Sequence, residues 1–94
     1  MRILVTYDVN TESSAGRRRL RRVAKACEGF GQRVQKSVFE CDLGETDFVR
    51  LRHDLVGIID ETEDDLRIYR LSETVRMEHY GKNISTDFRG PLVV

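Results

Sequence analysis

The sequence predicts an α+β fold: a small antiparallel sheet with two helices on one of its faces. Three observations carry that expectation. Arg2 to Val9 is rich in β-formers and has no helical period. Gly16 to Glu28 and Thr46 to Asp60 each carry apolar residues at helical spacing. The remaining apolar residues alternate with polar ones, in Gln32 to Leu43 and in Leu66 to Leu71.

Taken in order, the first strand puts Ile3, Val5 and Tyr7 on one side and Leu4, Thr6 and Asp8 on the other. Asn10 to Gly16 is polar and small, a loop, and Ser13 or Ser14 can cap the helix that follows. In that helix Leu20, Val23, Ala24 and Cys27 form one apolar stripe. Gly29 and Gly31 suit its end, because glycine tolerates left-handed geometry. In Gln32 to Leu43, Phe39, Cys41 and Leu43 alternate with Glu40 and Asp42. The looser pattern near Gln35 to Ser37 predicts a bend or short hairpin that divides the stretch. Phe48, Leu51, Leu55, Ile58 and Ile59 hold the core period of the second helix, and His53 lies off that stripe. Asp60 to Asp65 is an acidic turn, and Leu66 to Leu71 a strand. Val75 to Tyr80 reads as an extra C-terminal strand. The order is the ferredoxin-like βαββαβ arrangement with that addition. The helices take one face of the sheet. Apolar residues left on the other, Leu4 among them, favour a homodimer.

The 94 residues suffice for one core, so residues 1–94 are read as a single domain, with a core to about residue 80 and a tail from about 81. The apolar end Leu92-Val93-Val94 is expected to lie against a sheet edge of its own chain or of a partner. No apolar run approaches the roughly 18 residues of a membrane helix, and Ile3-Leu4-Val5 is too short for a signal peptide. A cytoplasmic protein with no membrane partner is expected. Cys27 and Cys41 read as buried small hydrophobes, and their spacing, with His53 and His79, fits no zinc motif.

The net charge of zero hides two poles. From Arg17 to Lys36 the basic residues are Arg17, Arg18, Arg19, Arg21, Arg22, Lys25, Arg33 and Lys36, against Glu28 alone. From Glu40 to Asp65 ten acids face Arg50 and Arg52. A basic helix face is often only solubilising. Five arginines in six positions, Arg17 to Arg22, point instead to phosphate. Nothing in the helix repeats as base-reading motifs do, so backbone contacts without sequence preference are expected.

Asp8 stands where the first strand runs out into a polar loop. A strand-end carboxylate can hold a hard cation, or bond to its own turn backbone. One carboxylate is too few for magnesium, whereas a two-fold dimer brings two copies together. Tyr7 and Phe39 could stack near nucleic acid, although an aromatic on a strand is more often core. No glycine-rich phosphate loop and no Ser-His-Asp or Cys-His set is present in the sequence. An RNA-recognition motif shares the element order, but its aromatic third-strand consensus is missing from Leu66 to Leu71.

Three runs of sequence resemble the CRISPR-associated protein 2 family, closest to its type I-C branch. They are Ile3-Leu4-Val5-Thr6-Tyr7-Asp8-Val9, Arg19 to Lys25, and Gly31 to Cys41; Leu66 to Leu71 fits as well. The resemblance implies a ferredoxin-like homodimer, and a place in CRISPR spacer acquisition beside the CRISPR-associated protein 1 integrase. It also implies a metal-dependent endonuclease for single-stranded RNA or double-stranded DNA. The family's magnesium ligand and catalytic aspartate corresponds to Asp8, with Mg²⁺ or another divalent cation such as Mn²⁺ as cofactor. Arg22, Arg33 and Phe39 match further family positions, and Tyr7 beside Asp8 joins the catalytic candidates. Two functions follow: a nuclease centred on Asp8, or a non-catalytic DNA-binding scaffold for the integrase in which Asp8 is dispensable. A small-molecule regulatory domain of the same fold would not need this density of arginine.

Overall fold

In the computed structural model, residues 1–82 are described. The elements are β1 (Arg2–Asp8), α1 (Ser14–Glu28), β2 (Gly31–Gln35), β3 (Val38–Asp42), α2 (Glu45–Ile58) and β4 (Asp65–Leu71). The four strands form one sheet in the order β2-β3-β1-β4, with every neighbouring pair antiparallel. This is the βαββαβ arrangement expected from the order of periods.

The alternation of β1 divides the sheet into two faces. Ile3, Val5 and Tyr7 are buried with Phe39 and Cys41 of β3, under Val23 and Cys27 of α1 and Phe48, Leu51 and Leu55 of α2. Burying this apolar set is the main driving force for the fold. Leu4, Thr6 and Asp8 point the opposite way. Their register partners on β4 are Tyr69, Arg67 and Asp65.

Local chemistry explains the helix ends. The Ser13 hydroxyl accepts from the Gly16 N–H at 3.0 Å, an N-cap at one of the two serines expected. A Cβ on Gly16 would fall 1.8 Å from the Asn10 carbonyl oxygen, so only glycine lets the helix start this close to the loop. Glu45 and Asp47 lie in the first turn of α2, where negative charge meets the positive end of the helix.

Two expectations are corrected. Gly29 is right-handed, with φ −70°, so the end of α1 needs no left-handed glycine. Gly31 matters for space instead: a Cβ there would meet the Glu40 carbonyl oxygen and the Cys41 Sγ. The second correction concerns Val75 to Tyr80, which forms no strand. A turn closed by the Val75 N–H on the Ser72 carbonyl follows β4, and Val75, Met77 and Tyr80 are exposed. Alternation makes a strand only where an edge is available to pair with, and within the described chain this segment meets none. The expected role of Leu92-Val93-Val94 lies outside the described residues. No helix among them is long and apolar enough to cross a membrane.

Cys27 and Cys41 are buried free thiols. Burial pushes Cys27 up to about 12 and Cys41 up to about 11, so both stay protonated and unreactive at neutral pH.

Candidate nucleic-acid interface and carboxylate site

Asp8 ends β1 on the sheet face away from the helices, and it is exposed. Its carboxylate has no ion-pair partner among the described residues. Directly across the ladder stands Asp65. Two carboxylates opposite one another on an antiparallel pair repel. Arg67 relieves half of that, with Nε 3.0 Å and NH2 3.3 Å from the two Asp65 oxygens. Asp8 is left as the free acid of the pair, a hard oxygen donor open to a cation. The donor type fits Mg²⁺ or Mn²⁺, but the number does not within one chain. No group of three or more metal-ligating side chains occurs among the described residues.

The cations of α1 are on the other side. Arg17, Arg18, Arg21, Arg22 and Lys25 are exposed along the helix, which packs over the opposite face of the sheet from Asp8. Arg17 donates to the Thr11 carbonyl at 3.0 Å. Arg18, Arg21, Arg22 and Lys25 have no carboxylate partner among the described residues. Arg22 also lines a shallow groove between α1 and α2, with His53 and Asp54 on its far wall. Lys36 is exposed at the β2–β3 turn.

Arg19 stands apart from that set. Its Nε and NH2 reach Asp64 at 2.8 and 3.2 Å. The Asp64 side chain is wholly buried and also accepts from the Asn10 and Asp60 backbone N–H groups. This hub ties the loop after Asp8 to the loop before Asp65. Arg19 is engaged by this ion pair, unlike the arginines around it.

Tyr7, Phe39 and Arg33 come together, but away from Asp8. The Tyr7 and Phe39 rings stack with centroids 6.3 Å apart, and the Arg33 guanidinium lies 5.2 Å over Phe39. Phe39 is fully buried and Tyr7 nearly so, so both are core. Burial pushes the Tyr7 phenol up to about 12. Arg33 is half-buried and pairs with Glu28 at 3.3 Å.

A family model described as CRISPR associated protein Cas2 matches residues 1–78. The chain belongs to the Cas2 family. A relative from Moorella thermoacetica, called CRISPR-associated endoribonuclease Cas2 1, is 55% identical over 96 residues and covers all of both chains. One from Halalkalibacterium halodurans, called CRISPR-associated endonuclease Cas2, is 50% identical over 99% of each. Among solved structures, Streptococcus pyogenes Cas2 superposes with a TM-score of 0.76 at 54% identity, over 86% of this chain and all of that one. A hypothetical protein of Thermus thermophilus matches at 0.70 and 32% identity, over 86% of this chain and 93% of that one.

Within this Cas2-family chain, the run Asp60 to Asp65 reads in sequence only as an acidic turn, which assigns no role to Asp64 or Asp65. The Arg19 contact holds the Asp64 carboxyl below the usual carboxylate range, helped by the two backbone donors and opposed by burial. A group depressed in the folded state stabilises it above the unfolded value, near pH 4, and that contribution is lost as pH falls through the folded value. Asp64→Ala strands Arg19 and two backbone donors. We expect it to lower the melting temperature at pH 7 by roughly 4–8 °C, about 1 kcal/mol in a domain of this size. It should also flatten the acid side of the stability profile below about pH 4. Thermal unfolding monitored by circular dichroism from pH 2 to 7 checks both.

Proposed function

We propose that two copies of this chain pair through their open sheet faces and bring two Asp8 carboxylates to one divalent cation, making a metal-dependent endonuclease for RNA or double-stranded DNA. The single observation that carries this reading is the free, outward Asp8 carboxylate on a face that the helices leave uncovered. Leu4, Val38 and the exposed Tyr69 on that face supply apolar surface for pairing. The names of the relatives, endoribonuclease and endonuclease, support the activity.

Asp8 from each copy would hold the cation, Mg²⁺ or Mn²⁺. When bound, it supplies charge neutralisation at the scissile phosphate and activation of the attacking water. Arg18, Arg21, Arg22 and Lys25 grip the backbone, while Lys36 extends that surface. Arg33, Tyr7 and Phe39 act from within, fixing β1 against β3 so that the strand end carrying Asp8 is rigid. The expected cellular setting is the cytoplasm, in CRISPR spacer acquisition with the CRISPR-associated protein 1 integrase, and the motif runs support a type I-C placement.

Removing the metal tests the reading. EDTA should abolish cleavage of single-stranded RNA and duplex DNA by the purified protein, and Mg²⁺ or Mn²⁺ in excess should restore it. Cleavage that persists unchanged in EDTA would end the metal-dependent model.

One observation favours the second reading, a non-catalytic DNA-binding scaffold. The cationic helix and Asp8 lie on opposite sides of the sheet. Nucleic acid gripped by α1 alone does not have to pass Asp8 of the same chain. The scaffold can therefore work whether or not the carboxylate does.

A further inference from the structure

Among the described residues, four arginines pair with acids: Arg19 with Asp64, Arg33 with Glu28, Arg50 with Asp47 and Arg67 with Asp65. Arg52 and Arg70 are arranged differently. The Arg52 guanidinium lies 5.0 Å from the centroid of the Phe48 ring, and that of Arg70 lies 4.5 Å from the same centroid. Arg52 and Arg70 are exposed residues, whereas Phe48 is 3% exposed. Among the described residues neither guanidinium makes an ion pair.

The elements explain the convergence. Phe48 and Arg52 are one turn apart on α2, so their side chains share a flank of the helix. Arg70 is the register partner of Ile3, which turns it to the helix side of β4, beneath that flank. The groove shared with α1 is lined by His53, Asp54, Gly57 and Ile58 instead. The Phe48 flank is thus separate from the cationic surface of α1.

A guanidinium stacked by its plane on an aromatic ring keeps its in-plane N–H fork free. Stacking orders the side chain without using its donors. Two positive forks held to one neutral ring repel each other, and no carboxylate among the described residues forms an ion pair with either. A bound anion would. We propose that Arg52 and Arg70, planted on Phe48, form a second contact for the phosphodiester backbone of a nucleic acid, on the α2–β4 flank and independent of α1. This rests on the reading of the chain as a nucleic-acid-binding protein.

The test is a fluorescence-anisotropy titration of a labelled DNA duplex between 50 and 200 mM KCl. It compares the wild type, the double variant R52Q/R70Q, its charge-keeping counterpart R52K/R70K, and the triple variant R18E/R21E/R22E. R52Q/R70Q should bind on the order of tenfold more weakly, and the slope of log K against log salt should shrink by about 1.8, near 0.9 for each lost phosphate. R52K/R70K should recover most of the affinity, which a purely packing role would not do. Unchanged affinity and slope in R52Q/R70Q, with binding lost in the α1 triple variant, would overturn this site and leave the nucleic-acid reading standing. A wild type that binds no duplex at 50 mM KCl would overturn both. Should R52Q/R70Q fail to fold, the Nε–Hε resonances of Arg52 and Arg70 in the wild type decide. They shift on adding duplex if the contact exists, and stay in place if it does not.

Discussion

Replacing Asp8 with alanine should remove cleavage and leave nucleic-acid binding intact. Asp8 is the free carboxylate on the uncovered sheet face, since Asp65 opposite it is already held by Arg67. A cation positioned at a phosphate contributes several kcal/mol to the transition state, and each 1.4 kcal/mol is a factor of ten. The rate with Mg²⁺ should therefore fall by at least about 10³-fold. The proposed phosphate-binding arginines of α1 are on the other side of the sheet, so the dissociation constant for a duplex should stay within about twofold. The fold should survive, because an exposed side chain without an ion-pair partner is removed. Cleavage and anisotropy assays on one preparation measure both halves. Equal cleavage by Asp8→Ala and the wild type would sink the nuclease assignment. Binding lost together with cleavage would mean that the two surfaces are not separate.

The second large effect is expected from reversing charge on α1. Arg18, Arg21 and Arg22 are exposed, and none has a carboxylate partner among the described residues. R18E/R21E/R22E replaces three guanidinium forks, which suit phosphate, with three carboxylates, which repel a polyanion. Binding of duplex DNA at 0.15 M salt should drop by at least about 10²-fold, with a salt slope smaller by about 2.7. Spacer acquisition in cells should fail with it. The single variant R19E is a different case: it breaks the Asp64 hub, so its first effect is on thermal stability. A triple variant that binds and acquires spacers normally would remove the α1 interface from the account.

Much of this architecture was legible in the chain because period alone decides faces. Ile3, Val5 and Tyr7 alternate into the core, and that alternation sends Asp8 to the opposite side. Leu20, Val23 and Cys27 mark the core-facing stripe of α1 and leave Arg17, Arg18, Arg21 and Arg22 exposed. What was hidden depends on partners distant in sequence. Arg19 and Asp64 are 45 positions apart, so the ion pair that engages one of the arginines expected to bind phosphate is invisible to local pattern. The Arg67 grip on Asp65 matters for Asp8 only through the β1–β4 register. Arg52 and Arg70 meet over Phe48 because α2 lies above β4, which no local pattern encodes. Val75 to Tyr80 alternates as a strand does, yet whether it pairs is decided by a free edge and not by its own residues.

The proposed sharing of one ion by two Asp8 side chains is tested most directly by counting metal. Calorimetric titration of the metal-free protein with Mn²⁺ should saturate at one ion for every two chains, and Asp8→Asn should lose that binding. Saturation at one ion per chain, or undiminished binding by Asp8→Asn, would contradict a site built from two facing copies of β1.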